Sequence, residues 1–239
     1  MDNKFKVIAF DLDGTLTEHR TKLDINNKKI LDKLSEKYKL IMFGAGKANR
    51  IFEQMNEYPI DIIGNYGMQY FKYNFETKKL DVIFNKEIPI DKNEIEKRVI
   101  YLRNKYNYTD FKGDSVEYHE SGCITFPLLG KSADIKEKLI FDPDKKKRRY
   151  MYNEVKNLFP EYTTFIGGSS SFDFAPQPYN KLYAIENYAK DNNYKKEEIL
   201  YVGDDYKEGG NDEDVYKSDF NFQIIDNYNN FPNIMLKYL

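Results

Sequence analysis

Residues 5–10 read FKVIAF and run straight into Asp11, Leu12, Asp13 and Gly14. An apolar run this short, rich in strand formers and closed by acids and a glycine, suits a strand buried on both faces. Such a strand constrains the chain to a layered α/β architecture, because a sheet hidden on both sides needs helices to cover it. From Asp24 the spacing of Ile25, Ile30, Leu31 and Leu34 predicts a helix capped by Asp24, and KLIMF at 39–43 a second buried strand. Ile51, Phe52 and Met55 predict another helix, and IDIIG at 60–64 a third strand. These are βαβ units, which cross over right-handed and leave their loops at the carboxyl ends of parallel strands, where open α/β sheets hold ligands.

After about residue 66 the texture changes. MQYFKYNFETKKLDVIF alternates aromatic and charged residues around a turn, which predicts an antiparallel hairpin and the start of a different subdomain. Residues 91–108 have helical spacing, SVEYHESGCITFPLL at 115–129 predicts two strands, and residues 144–158 a basic helix. The run 145–149 reads as a solvated helix face rather than a nucleic-acid patch. From Lys181 the βα rhythm returns: KLYAIENYAKDN as a helix, EEILYVGDD as a buried strand ending in two acids, and FNFQII as a last strand. The expected organisation is a core from residues 1–82 and 180–239, with an α+β domain inserted at 83–179. In fold class this is α/β, a Rossmann-like core with a parallel sheet plus an inserted α+β domain.

Composition narrows the function. Hydrophobic residues make up 41% and aromatics 16%, enough to build a core despite a mean hydropathy of -0.75. Lys and Arg number 37 against 39 Asp and Glu, a net charge of -2, so nucleic acid is not an expected partner. One cysteine, Cys123, cannot form an internal disulfide, and with only His19 and His119 a structural zinc site is excluded. No signal peptide or membrane span is expected, and the reading is a reduced, cytoplasmic protein.

The acids carry the chemistry. Asp11 and Asp13 end the first strand two residues apart, so strand periodicity points both carboxylates to one side. Asp204 and Asp205 end another buried strand about 190 residues later. If the two strands are neighbours, three or four carboxylates meet, and like charges roughly 4 Å apart repel by about 4 kcal/mol per pair at an effective dielectric of about 20. A counter-cation is then required. An all-oxygen donor set without His or Cys selects a hard ion, and Mg²⁺ fits. A carboxylate beside Mg²⁺ can attack a phosphoryl group to form an aspartyl phosphate, while a second carboxyl moves the proton. Asp11 is the candidate nucleophile, Asp13 the candidate acid/base, and Lys181 the candidate cation holding nucleophile and phosphoryl group together.

FDLDGTLT at 10–17, Lys181, VGDD at 202–205 and GGND at 209–212 resemble the haloacid dehalogenase superfamily of phosphatases and phosphomutases. IGGSSSFDFAPQPYNK at 166–181, VGDDYKEGGNDEDVY at 202–216 and GCITFPLLGKSADIKEKLIF at 122–141 further resemble its eukaryotic-type phosphomannomutase branch, over essentially the whole chain. The resemblance implies that the inserted domain is a cap of type C2b. It implies Asp11 as the phosphorylated aspartate, Asp13 as acid/base and metal ligand through its backbone carbonyl, and Asp204 as the third magnesium ligand. Asn211 and Asp212 fall in the loop supporting the metal. Arg20 would hold substrate at the mouth of the core, Ser171 and Asp173 would hydrogen-bond the sugar phosphate, and Thr125, Lys131, Lys138 and Ser171 would hold its distal phosphate. A hexose-bisphosphate activator, a homodimer joined through the caps, and cap closure about hinges near 80–86 and 177–181 belong to the same set of expectations.

Three departures stand out. Glu120 occupies the place of an expected cap arginine, and two further cap arginines are Lys131 and Lys138, which keep charge but lose the bidentate fork. The superfamily's second motif normally offers a Thr or Ser hydroxyl, whereas FGAGK at 43–47 offers Ala45 and Gly46. A nucleotide-binding loop there is excluded, since Ile41 and Ala48 stand where Gly and Ser or Thr are needed. The expected activity is therefore phosphomannomutase-like phosphoryl transfer on a hexose phosphate. The alternative is a sugar-phosphate phosphatase, and a non-catalytic phosphoacceptor or binding module ranks below both.

Overall fold

The computed structural model describes residues 4–239. Residues 1–3, which the sequence reading assigns to the core, lie outside the described residues. In chain order the first elements are β1 (Val7–Phe10), α1 (Ile25–Ser35), β2 (Lys39–Phe43), α2 (Ala48–Gln54), β3 (Asp61–Gly64), β4 (Gln69–Asn74) and β5 (Lys79–Asn85). Next come α3 (Lys92–Tyr106), β6 (Glu117–Tyr118), β7 (Ile124–Pro127), α4 (Ile135–Phe141), α5 (Lys146–Leu158), β8 (Tyr162–Phe165) and β9 (Ser171–Pro176). The last are α6 (Lys181–Asp191), β10 (Ile199–Gly203), α7 (Glu213–Tyr216), β11 (Asn221–Ile224) and α8 (Phe231–Met235). Two compact units result. The first holds the chain through Lys86 with Asn180–Lys207 and Asp212–Leu239; the second holds Glu87–Tyr179 and Glu208–Asn211.

The first unit is built on a seven-stranded sheet in the order β11-β10-β1-β2-β3-β4-β5. The five strands from β11 to β3 are parallel, and β4 and β5 are antiparallel. β1 lies centrally and is buried along its length, as its unbroken apolar run requires. Its residues alternate between two cores: Ile8 and Phe10 pack with Leu31, Met42 and Val202 on one face, Val7 and Ala9 with Ile41, Ile185 and Tyr201 on the other. The Asp24 carboxylate accepts from the backbone N–H of Asn26 at 2.7 Å and of Asn27 at 3.1 Å, capping α1 as expected.

The hairpin does not open a new subdomain. β4 pairs with β3, Ile62 opposite Phe71, so the hairpin completes the edge of the same sheet, and the first unit runs past residue 82 to Lys86. Residues 80–85, expected near a hinge, are laddered to β4 within β5. Alternation alone announces a hairpin but cannot say which sheet it joins.

In the second unit a four-stranded antiparallel sheet, β6-β7-β9-β8, buries Ile124, Phe126, Phe172 and Phe174 against Ile95, Val99, Leu102, Met151 and Val155 of α3 and α5. The alternate residues Thr125, Ser171 and Asp173 stand on its other, half-buried face, with Thr125 opposite Asp173 across the β7–β9 pair. The basic run needs correction: Arg148 is buried and ion-paired to Asp142 rather than solvated. Among the described residues no helix is long and apolar enough to cross a membrane.

Candidate active site

The site is set by register. β1 and β10 run parallel with Phe10 level with Val202, and the Asp11 N–H donates to the Val202 carbonyl at 2.9 Å, so Asp11 and Asp204 leave the sheet side by side. Gly14 turns the chain at φ +96°, and a Cβ there would stand 2.6 Å from the Asp204 Cγ, so only glycine allows this approach. Thr15, in the same turn, donates its hydroxyl to the Asp204 Oδ1 at 2.9 Å.

Lys181 is the first residue of α6, and Asn180 fixes that turn by accepting from the Tyr183 N–H at 2.7 Å. Its side chain is buried, and its Nζ donates to the Asp11 Oδ1 at 2.6 Å and to the Asp212 Oδ1 at 2.7 Å. Asp212 is held from four sides. Besides Lys181, the Tyr201 hydroxyl donates to its Oδ1 at 2.7 Å, and the N–H groups of Asp204 and Asp205 donate to its Oδ2 at 3.2 and 3.1 Å. So satisfied, Asp212 is a brace that positions Lys181 and the 204–205 turn.

Asp11, Asp204 and Asp212 each offer a carboxylate oxygen, and these oxygens lie within 4.8 Å of one another. With Lys181 the formal charge of this group is -2. The titration behaviour has the same cause. Burial, Asp212 and Asp204 push the Asp11 carboxyl well above the usual range against the pull of Lys181. Burial, Asp212 and Asp205 raise Asp204 to about 7. Burial would lower the Lys181 ammonium, but Asp11 and Asp212 outweigh it and hold it above the ordinary lysine value. The site is short of positive charge, and its donors are all oxygens, so a Mg²⁺ ion fits it. Mg²⁺ should therefore raise the melting temperature, by an amount that grows with concentration above Kd. A metal held by the Asp204 carboxylate would compete with its proton, so the apparent affinity should rise as pH passes upward through about 7. Thermal shift titrations at pH 6 and 8, with Asp204→Asn as the control that loses the response, check this.

Asp13 does not join the three. Its carboxylate turns to α2, accepting from the Arg20 N–H at 2.8 Å and the Gln54 Nε2 at 2.6 Å, with the Arg50 guanidinium at 3.5 Å. Burial opposes its charge, but these donors outweigh it and hold the carboxyl below the usual range. Strand periodicity overstated the pairing because Asp13 already belongs to the turn closed by the Gly14 N–H to Thr17 carbonyl bond at 2.8 Å. Gln54 and Arg50, absent from the sequence reading, are announced only by their spacing of one helical turn.

Of the other expected residues, Arg20 is exposed at φ 60° and meets Asp13 through its backbone, and Asn211 falls in the segment that groups with the second unit. Thr125, Lys131, Lys138, Ser171 and Asp173 all belong to the second unit. There Lys138 donates to the Lys131 carbonyl at 2.8 Å, Lys131 lies 3.4 Å from the Glu117 carboxylate, and the His119 ring is 3.2 Å from the Thr125 hydroxyl. Cys123 is buried and its thiol is pushed up to about 11, which fits packing rather than nucleophilic use.

The sequence profile described as eukaryotic phosphomannomutase matches residues 27–225. The chain belongs to this family. Members of the phosphomannomutase family similar to it include the phosphomannomutase of Encephalitozoon cuniculi, 25% identical over 231 residues and covering 88% of this chain and 84% of its own. That of Saccharomyces cerevisiae is 26% identical over 226 residues with the same coverage, 88% and 84%. Phosphomannomutase 1 of Dictyostelium discoideum is 28% identical over 223 residues, covering 87% and 86%. Among solved structures, a phosphatase of the haloalkanoate (HAD) enzyme superfamily from Bacteroides thetaiotaomicron aligns over 99% of this chain and 96% of its own, with a TM-score of 0.65 at 17% identity. The IMP-nucleotidase of Plasmodium falciparum aligns over 97% of this chain and 69% of its own, with a TM-score of 0.68 at 16% identity. These likenesses bear out the fold expected for the phosphomannomutase family, a Rossmann-like HAD core with an inserted cap. The chain is accordingly an enzyme of the HAD phosphotransferase and phosphatase class.

Proposed function

We propose that this enzyme moves a phosphoryl group between the C1 and C6 positions of a mannose phosphate through a phosphorylated Asp11. The observation that carries the reading is Lys181, bridging Asp11 and Asp212 at 2.6 and 2.7 Å beside the Asp204 carboxylate. Buried and charged, it holds the nucleophile in place and meets the negative charge that develops on the phosphoryl oxygens. Asp11 attacks phosphorus, and Asp13 exchanges the proton with the sugar oxygen that leaves or arrives. Asp11, Asp204 and the backbone carbonyl of Asp13 would hold Mg²⁺, which supplies a Lewis acid that neutralises phosphoryl charge. Arg20 is assigned to substrate at the core, Asn211 and Asp212 to support of the metal loop, Ser171 and Asp173 to hydrogen bonds with the sugar phosphate, and Thr125, Lys131, Lys138 and Ser171 to the distal phosphate, which a mutase must grip.

A second reading, a sugar-phosphate phosphatase, is favoured by one observation. The Lys131 ammonium lies 3.4 Å from Glu117, so part of the charge available to a distal phosphate is already neutralised, and Glu120 adds a carboxylate in the same unit. Feeding mannose 1-phosphate with a catalytic amount of glucose 1,6-bisphosphate and Mg²⁺ decides between them. Mannose 6-phosphate is the expected product; free mannose with inorganic phosphate would establish the phosphatase, and no turnover of either kind would remove both.

A further inference from the structure

Gln54 closes α2 with its side chain buried, 6% exposed, and it is not idle there. Its Nε2 donates to the Asp13 Oδ1 at 2.6 Å and to the Thr17 Oγ1 at 3.0 Å, while its Oε1 accepts from the Arg50 Nη1 at 2.9 Å. That third bond fixes which way the amide faces, because the end receiving a guanidinium must be the carbonyl oxygen, leaving the NH₂ for Asp13. Arg50, one turn earlier on the same helix, brings both Nη atoms within 3.5 Å of the other Asp13 oxygen. The two oxygens of one carboxylate are thus held separately, Oδ1 by the Gln54 amide together with the Arg20 backbone N–H at 2.8 Å, and Oδ2 by a side-chain cation. The guanidinium can lie there because residue 46 has no side chain. A Cβ on Gly46 would overlap it, at 2.6 Å from Nε and 2.7 Å from Cζ.

The geometry points to Gln54 and Arg50 as positioning residues for Asp13, a two-point clamp on the proton-transfer carboxylate that the bare Gly46 makes possible. The inference rests on the role assigned to Asp13 above. In the step it serves, the oxygen of an acceptor hydroxyl, from water or sugar, forms a new bond to phosphorus. The bond between phosphorus and the Asp11 carboxyl oxygen breaks, its electron pair returns to Asp11 as carboxylate, and the hydroxyl proton passes to Asp13. A carboxylate free to rotate would present its lone pair to that proton for only part of the time. One clamped at both oxygens has a single orientation, the saving that fixed geometry brings to a reaction step.

An activated ester separates this step from the one before it. 2,4-Dinitrophenyl phosphate needs no proton donor as its phenolate leaves, so phosphorylation of Asp11 by it is independent of Asp13, whereas the release of phosphate to water is not. With Mg²⁺ present, stopped-flow release of dinitrophenolate reads the first step as a burst and the second as the steady state. In Gln54→Met and in Arg50→Met the steady-state rate should fall roughly 30-fold while the burst rate changes by less than about threefold, and the burst should approach one equivalent as phosphoenzyme accumulates. Gly46→Val should give the same split by displacing the guanidinium, which also removes the bond that orients the Gln54 amide. Equal loss of burst and steady state in the folded variants, or no loss in Arg50→Met and Gly46→Val, overturns the clamp. Asp13→Asn distinguishes the two levels of the argument. If its steady state stays near wild type, the role of Asp13 itself is wrong; if it collapses while the clamp variants remain active, the positioning inference alone fails.

Discussion

Asp11→Asn should reduce turnover of any phosphate monoester by about 10⁴-fold or more without unfolding the chain. An amide nitrogen cannot attack phosphorus as a carboxylate oxygen does, and what remains at the site, Lys181 and the metal-binding carboxylates, can bind substrate without forming the covalent intermediate. The size of the loss follows from the step removed. The structure also predicts that this variant is not a folding defect. Asp11 is a buried carboxylate crowded by Asp204 and Asp212, and burial with those two charges already disfavours its ionised form. A neutral amide of the same shape relieves that repulsion, and Lys181 still has Asp212 at 2.7 Å to hold it. The melting temperature without Mg²⁺ should therefore stay level or rise, while the Mg²⁺-induced increase shrinks because one ligand oxygen loses its charge. Phosphate release from an aryl phosphate with Mg²⁺, run beside a thermal melt of the same preparation, gives both readings. Residual turnover within tenfold of wild type would remove Asp11 as nucleophile, and a fall of many degrees in the melt would mean that the lost activity reports unfolding instead.

The strands at the core of this site were legible because a strand buried on both faces has no polar positions to disguise it. FKVIAF and ILYVG are such runs, and each ends in acids that only a functional or capping role explains. The Asp24 cap was equally legible, opening α1 where the sequence puts it, because the capping oxygen is local chemistry. What escaped was long-range. The direction of the Asp13 carboxylate depends on Gln54, 41 residues away. The destination of the hairpin depends on whether β4 finds β3 or a new partner. The burial of Arg148 depends on carbonyls at 167–171 that no periodicity announces. In each case the deciding partner is distant in sequence, and a pattern read over a window of ten residues carries no information about it.

Arg148 gives the second large effect, this time on stability. It stands in a run of five basic residues, KKKRR, whose composition reads as a solvent-facing surface, yet its side chain is 1% exposed. Its Nε donates to the Asp142 Oδ2 at 2.8 Å, and its Nη1 donates to the carbonyls of Gly167, Gly168 and Ser171 at 2.7, 3.1 and 3.2 Å. The guanidinium therefore ties the end of α4 and the start of α5 to the loop that enters β9, the strand carrying Ser171 and Asp173. Arg148→Met removes the cation paired with the buried Asp142 carboxylate and leaves four carbonyls, those of Asp142, Gly167, Gly168 and Ser171, without this donor, a loss of roughly 3–5 kcal/mol by analogy with other broken buried pairs. Arg149→Met, its neighbour, loses exposed contacts with the Asp144 and Glu208 carbonyls and should cost less than about 1 kcal/mol. The pair also sets an acid limit. Burial alone would raise the Asp142 carboxyl, but the Arg148 hydrogen bond, the N–H groups of Lys147 and Arg148 and the guanidinium charge together hold it below its ordinary value of 3.8. A carboxyl depressed in the folded state contributes its full stability above the unfolded value and loses it as pH falls through the folded one. Wild type should accordingly lose part of its stability below about pH 4, and Arg148→Met should lose less over that interval because its Asp142 is no longer held so low. Urea unfolding at pH 7 and pH 3, followed by tyrosine fluorescence, measures both. Equal stabilities for the Arg148 and Arg149 variants would return the whole run to the surface.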